Sequence, residues 1–62
     1  MRKQMEEVLA KYGLSSSPGM LFMSLDHITA MMFIQPEKFT NEEKELIKQV
    51  HLSILDKGYI ED

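Results

Sequence analysis

From the first residue, apolar side chains fall at Met1, Met5, Val8, Leu9 and Tyr12. That spacing gathers one stripe on a helix of 3.6 residues per turn and predicts helix 1 over about residues 2–12. Gly13 follows the stripe, where a left-handed residue commonly closes a helix, and Ser15-Ser16-Ser17 reads as a loop. Ser17 before Pro18 matches an N-cap with proline at the first helical position, which needs no amide hydrogen. Helix 2 is therefore expected over 18–34. Pro36 ends it, because proline disfavours helical geometry at Gln35 and cannot donate a backbone hydrogen bond.

Thr40-Asn41-Glu42-Glu43 fits a capping box, with the threonine hydroxyl accepting from the Glu43 amide and the Glu43 carboxylate reaching back to the Thr40 amide. Helix 3 is expected over 41–57. Glu42, Glu43 and Glu45 complement the positive end of its dipole and Lys57 the negative end. Leu46, Ile47, Val50 and Ile54 supply its buried stripe, and Gly58 is the expected stop. Tyr59 and Ile60 are expected to fold back onto the core. The alternative is a short extended segment over Gly58 to Glu61 that would begin a wing.

Helices 1 and 3 each pair one apolar stripe with a polar face, but helix 2 does not. At about 100° per residue, Leu21, Leu25, Ile28 and Met32 line one face, while Met20, Met23, Ala30, Met31 and Ile34 line another. Phe22 and Phe33 fall on a third side with Asp26 and Thr29. A helix apolar nearly all round is expected to be central, with protein on at least two sides, and two thin neighbours would cover about two-thirds of it. Two readings of the surplus stay open. Phe22, Met23, Met31 and Phe33 are core, closed over by Phe39, Tyr59 and Ile60, or Phe22, Met23, Met31, Phe33 and Ile34 form a contact surface, as a homodimer seam or a groove for a partner. Methionines 20, 23, 31 and 32 suit a surface that repacks around a partner, and Leu52 and Leu55 extend the same surplus.

Size sharpens the question. A chain of 62 residues is expected to form one helical domain over 1–62, burying only roughly 60% of the surface its unfolded form exposes. Such chains need disulfides, a metal, oligomerisation or very efficient helix packing, and there is no cysteine. Cysteine-free composition fits a reducing compartment, so a cytoplasmic location is expected. Glu6 and Glu7 stand where a signal peptide would need its apolar region. The stretch Met20 to Ile34 is shorter than the roughly 20 residues a bilayer requires and holds Asp26 and His27 at its centre, so no membrane partner is expected.

Seven basic and ten acidic residues give a net charge of −3, the wrong sign for binding a phosphate backbone as a bulk property. Helix 1, the turn at Gly13 and helix 2 could still be drawn as a helix-turn-helix. The first turns of that reading helix carry no Arg, Lys, Asn or Gln to address base edges. Lys44, Lys48 and Lys57 are candidate phosphate contacts on another helix, provided that they converge with Arg2 and Lys3. His27 and His51 sit on different predicted helices without clustered partners, so no metal is expected. No nucleophile elbow or phosphate-cradling glycine loop occurs, and neither a cofactor nor catalytic residues are expected.

The run Met5 to Ile28 contains a helix, the Tyr12-Gly13-Leu14 turn and a second helix with Ser24-Leu25-Asp26. In these features it resembles the small aspartyl-phosphate phosphatases of sporulating bacteria, antiparallel helix pairs that dephosphorylate response regulators. Their second-helix signature, Ser-Gln-Glu-Leu-Asp, corresponds here to Phe22-Met23-Ser24-Leu25-Asp26, and only Leu25 and Asp26 match. The resemblance implies phosphatase activity with Asp26 as the one residue carried over. It leaves helix 3 outside, and the polar residues before Leu25 are replaced by apolar ones. The expectation favoured by the whole pattern is an all-α, three-helix, non-enzymatic regulatory or adaptor protein that binds another protein or itself through helix 2, as a homodimeric bundle.

Overall fold

The computed structural model describes all residues from Met1 to Asp62 and contains three α-helices and no strand. Helix α1 spans Arg2–Lys11, α2 spans Leu21–Ile34 and α3 spans Asn41–Lys57, with a 3-10 turn at Pro36–Lys38 between the last two. Helix α1 closes on a Schellman motif. Gly13 takes a positive φ of 75°, its amide donates to the Ala10 carbonyl, and the Leu14 amide donates to the Leu9 carbonyl, so the last orphan carbonyls find donors. Helix α3 begins and ends where the capping box and Gly58 put it. Both bonds of the Thr40–Glu43 box are formed, and Gly58 is left-handed at φ 81°.

Helix α2 starts later than the Ser17-Pro18 pair predicts. The Ser17 hydroxyl engages the Ser15 hydroxyl instead of capping, and the Met20 amide donates to the Ser17 carbonyl in a separate turn. Two local causes act together. Gly19 disfavours helix by about 1 kcal/mol relative to alanine, and the buried Ser24 hydroxyl donates to the Ser15 carbonyl, which ties the loop to the second turn of α2.

Nine apolar residues form the core. Met5 and Leu9 come from α1, Leu21, Leu25 and Ile28 from α2, Ile47 and Val50 from α3, with Phe39 from the turn and Ile60 from the tail. Each helix touches the other two, so α2 is not central. It buries one face only, as α1 and α3 do. The tail divides against expectation. Ile60 is buried while Tyr59 stays exposed, because the buried Ser53 hydroxyl donates to the Tyr59 carbonyl and accepts from the Glu61 amide. That clamp sets the backbone so that Ile60 faces inward. The Glu61 carbonyl in turn accepts from the Arg2 amide, satisfying a donor at the start of α1 that has no side-chain cap. No strand forms, so there is no wing.

The end of α1 and the start of α3 are joined through Glu43, the one buried charged residue. Its Oε1 accepts from the Thr40 amide at 2.9 Å and from the Tyr12 hydroxyl at 2.8 Å, and its Oε2 lies 2.6 Å from Lys11 Nζ. The Tyr12 ring stacks on Phe39 with centroids 4.5 Å apart and an interplanar angle of 18°, within the range of favourable aromatic pairs. Burial opposes ionisation of Glu43, but donors from Lys11, Thr40 and Tyr12 outweigh it and hold its pKa down to about 2. No buried side-chain polar atom lacks a partner.

The Glu43 carboxyl has an ordinary pKa of 4.5 when unfolded and about 2 when folded. Its contribution is therefore complete above pH 4.5 and lost as pH falls through the native value. Glu43→Gln should reduce stability at neutral pH and flatten that acid loss, as read from urea midpoints across the interval. Glu43→Ala should cost about 1–3 kcal/mol, whereas the exposed neighbour Glu42 should tolerate alanine within about 0.5 kcal/mol. Gly58→Ala meets no atom within 4 Å. It should still cost about 1 kcal/mol through the left-handed backbone alone, measurable as a lower urea midpoint with an unchanged slope.

Candidate interaction surface

One-sided burial of α2 leaves its remaining apolar residues outside. Phe22 is 55% exposed, Met23 64%, Phe33 76% and Ile34 78%. Phe39 and Ile60 close the core without covering them. The fifth expected contact residue, Met31, behaves differently: it is half-buried and packs against the core.

The five residues do not form one patch. At about 100° per residue, Phe22 and Phe33 lie on one line of the helix and Met23 and Ile34 on another roughly 100° away, with Ala30 between them. Met31 falls beyond, towards the buried face. Asp26 lies close to the phenylalanine line, exposed and outside the three ion pairs. Lone and solvated, it has no second acid or base placed beside it by those contacts.

The Phe33 end of the phenylalanine line borders α3. Between the two helices runs an open groove of about 720 Å³. Thr29, Met32 and Phe33 line it from α2; Asn41, Lys44, Glu45, Ile47, Lys48, His51 and Leu52 line it from α3. Thr29 and His51 bridge the helices, with Thr29 Oγ1 2.8 Å from His51 Nε2. The threonine hydroxyl has one hydrogen and donates it to the Leu25 carbonyl, so Nε2 must be the donor in the bridge. The imidazole is thereby held by the opposite helix, and no group of three or more His, Asp or Glu residues comes together to hold a metal ion.

Three of the basic residues are paired within the chain. Arg2 pairs with Glu6, Lys11 with Glu43 and Lys57 with Glu61. Lys44 and Lys48 are left together on the groove wall without a carboxylate partner; Glu45 is turned to the Gln49 amide instead. The connection between α1 and α2 runs from Tyr12 to Met20, far longer than the roughly 3–4 residues of a helix-turn-helix. No helix is long and apolar enough to cross a membrane.

No protein-family model, curated protein or solved structure matches the chain. The surface must therefore be understood from its own geometry. Sequence periodicity singled out the surplus apolar residues of α2 without deciding whether they are core or surface, and it missed the groove and the Thr29–His51 bridge. A local signal for the groove was present. Lys44 stands in the first turns of α3, where a cation opposes the helix dipole, and Lys48 follows it by four residues.

Thr29→Val keeps the side-chain shape and removes the bridging oxygen. It should cost about 1 kcal/mol and release the neutral His51 ring from its Nε2-protonated tautomer. Long-range nitrogen-proton NMR spectra would show the second tautomer appearing, and an unchanged tautomer ratio would mean that the bridge does not form in solution.

Proposed function

We propose that this protein is a small regulatory or adaptor protein that works by binding protein through the outer face of α2, pairing there with a second copy of itself. The observation that carries the reading is the exposure of Phe22, Met23, Phe33 and Ile34 on one short helix. Exposed apolar side chains gathered on one helix mark contact sites on small proteins. The core holds nine residues, so docking a second α2 would add burial that the chain supplies sparingly by itself.

The mechanism is helix-on-helix packing. A two-fold arrangement would set Met23, Ala30 and Ile34 against their counterparts, the small Ala30 allowing close approach, with Phe22 and Phe33 at the margin. Met23 can adjust its rotamers to the facing surface. Asp26 and His27 remain the polar residues that fix register.

Sedimentation velocity over a concentration series tests this reading. Wild type should pass from monomer to dimer as concentration rises, and Met23→Asp/Ile34→Asp should remain monomeric with an unchanged far-UV circular dichroism spectrum. Both sites are exposed, so loss of association without loss of helix is the expected separation. A wild type that stays monomeric throughout would overturn self-pairing.

A further inference from the structure

We propose that the groove between α2 and α3 receives an acidic amphipathic helix from a partner protein, completing a four-helix arrangement. The proposal rests on the protein-binding reading of α2, but it concerns the other line of that helix and names the chemistry of the occupant. Its apolar component is Met32, Phe33, Ile47 and Leu52. Phe33 and Leu52 stand as exposed ridges on opposite sides of the groove. An enclosed pocket would suit a small molecule, which needs most of its surface covered. This groove is open, and an occupant must bring bulk of its own to cover both ridges, as a helix laid between two helices does.

Charge selects the kind of helix. Lys44 and Lys48 are one turn apart on α3 and repel each other. Lys44 additionally stands near the positive end of the α3 dipole. Elsewhere the first turns of α3 are well matched, with Glu42 and Glu43 at the same end and Lys57 in the last turn. The two lysines thus break a local rule that their own helix otherwise obeys, and no carboxylate of this chain pairs with them. Carboxylates along one flank of an incoming helix would relieve both penalties, while its leucine-type residues covered Phe33 and Leu52. The one acid on the groove wall, Glu45, is held by Gln49. An occupant as long as α2, 14 residues, would span about 20 Å.

The full chain, labelled with nitrogen-15, is titrated with two synthetic 14-residue helical peptides. Both carry leucine at i, i+3, i+4 and i+7, and they differ only in glutamate or lysine on the flanks. The glutamate peptide should move the amide signals of Phe33, Lys48 and Leu52, bind more weakly as salt is raised, and lose at least about tenfold in affinity for Lys44→Glu/Lys48→Glu. That variant should prefer the lysine peptide. Equal binding of both peptides by wild type, or no binding of either, would overturn the proposal, as would sodium laurate moving the same signals when the peptides do not. Signals that shift at Met23 and Ile34 alone would overturn the groove while sparing the outer face, whose own test is self-association.

Discussion

The Glu43 carboxylate is the constraint on which the arrangement of the helices depends. A single side chain closes the capping box of α3, takes the Tyr12 hydroxyl and meets Lys11. The end of α1 is thereby locked to the start of α3. A carboxylate in such a place would be costly if any donor were missing, so its value lies in specificity: only one placement of α1 supplies both Lys11 and Tyr12. The stacking of Tyr12 on Phe39 extends the lock to the turn that leads out of α2, so three separate chain segments depend on one polar cluster.

At the opposite end, neutral groups do comparable work. The Ser53 hydroxyl clamps the tail backbone, and the tail carbonyl caps the first helix. With α1 and α3 pinned at both ends, the remaining freedom belongs to α2. It enters through a loop tied by Ser24 to Ser15 and meets α3 through Thr29 and His51. This geometry turns one apolar face of α2 inward and leaves the rest to solvent. A three-helix domain of this size has no further layer with which to cover it.

The exposed side of α2 divides into two surfaces of different character. Met23, Ala30 and Ile34 form an exposed apolar strip, whereas Phe33 stands on the border of a groove whose other wall carries unpaired cations. The division arises because about 100° separates the two lines of residues and α3 lies alongside only one of them. A stripe that looks continuous in sequence can therefore serve two contacts with different electrostatics.

Local chemistry was legible from the sequence because it acts within a few residues. The limits of α3, its capping box, the left-handed glycines 13 and 58, the break at Pro36 and the apolar stripes of α1 and α3 all depend on backbone preference and near-neighbour hydrogen bonds. The same local rules failed at Ser17-Pro18, where Gly19 disfavours helix, the Ser17 hydroxyl turns to Ser15 and Ser24 ties the loop through the Ser15 carbonyl. They also assigned Tyr59 to the core, where a clamp from Ser53 turned it outward, and they made α2 central because its apolar residues run nearly all round it. The sequence by itself thus determined three helices, most of their ends and a surplus of apolar residues on the second. Only the tertiary structure decided which of those residues the core takes up and how the rest are grouped, because burial, groove formation and the pairing of charges depend on distances between segments remote in the chain.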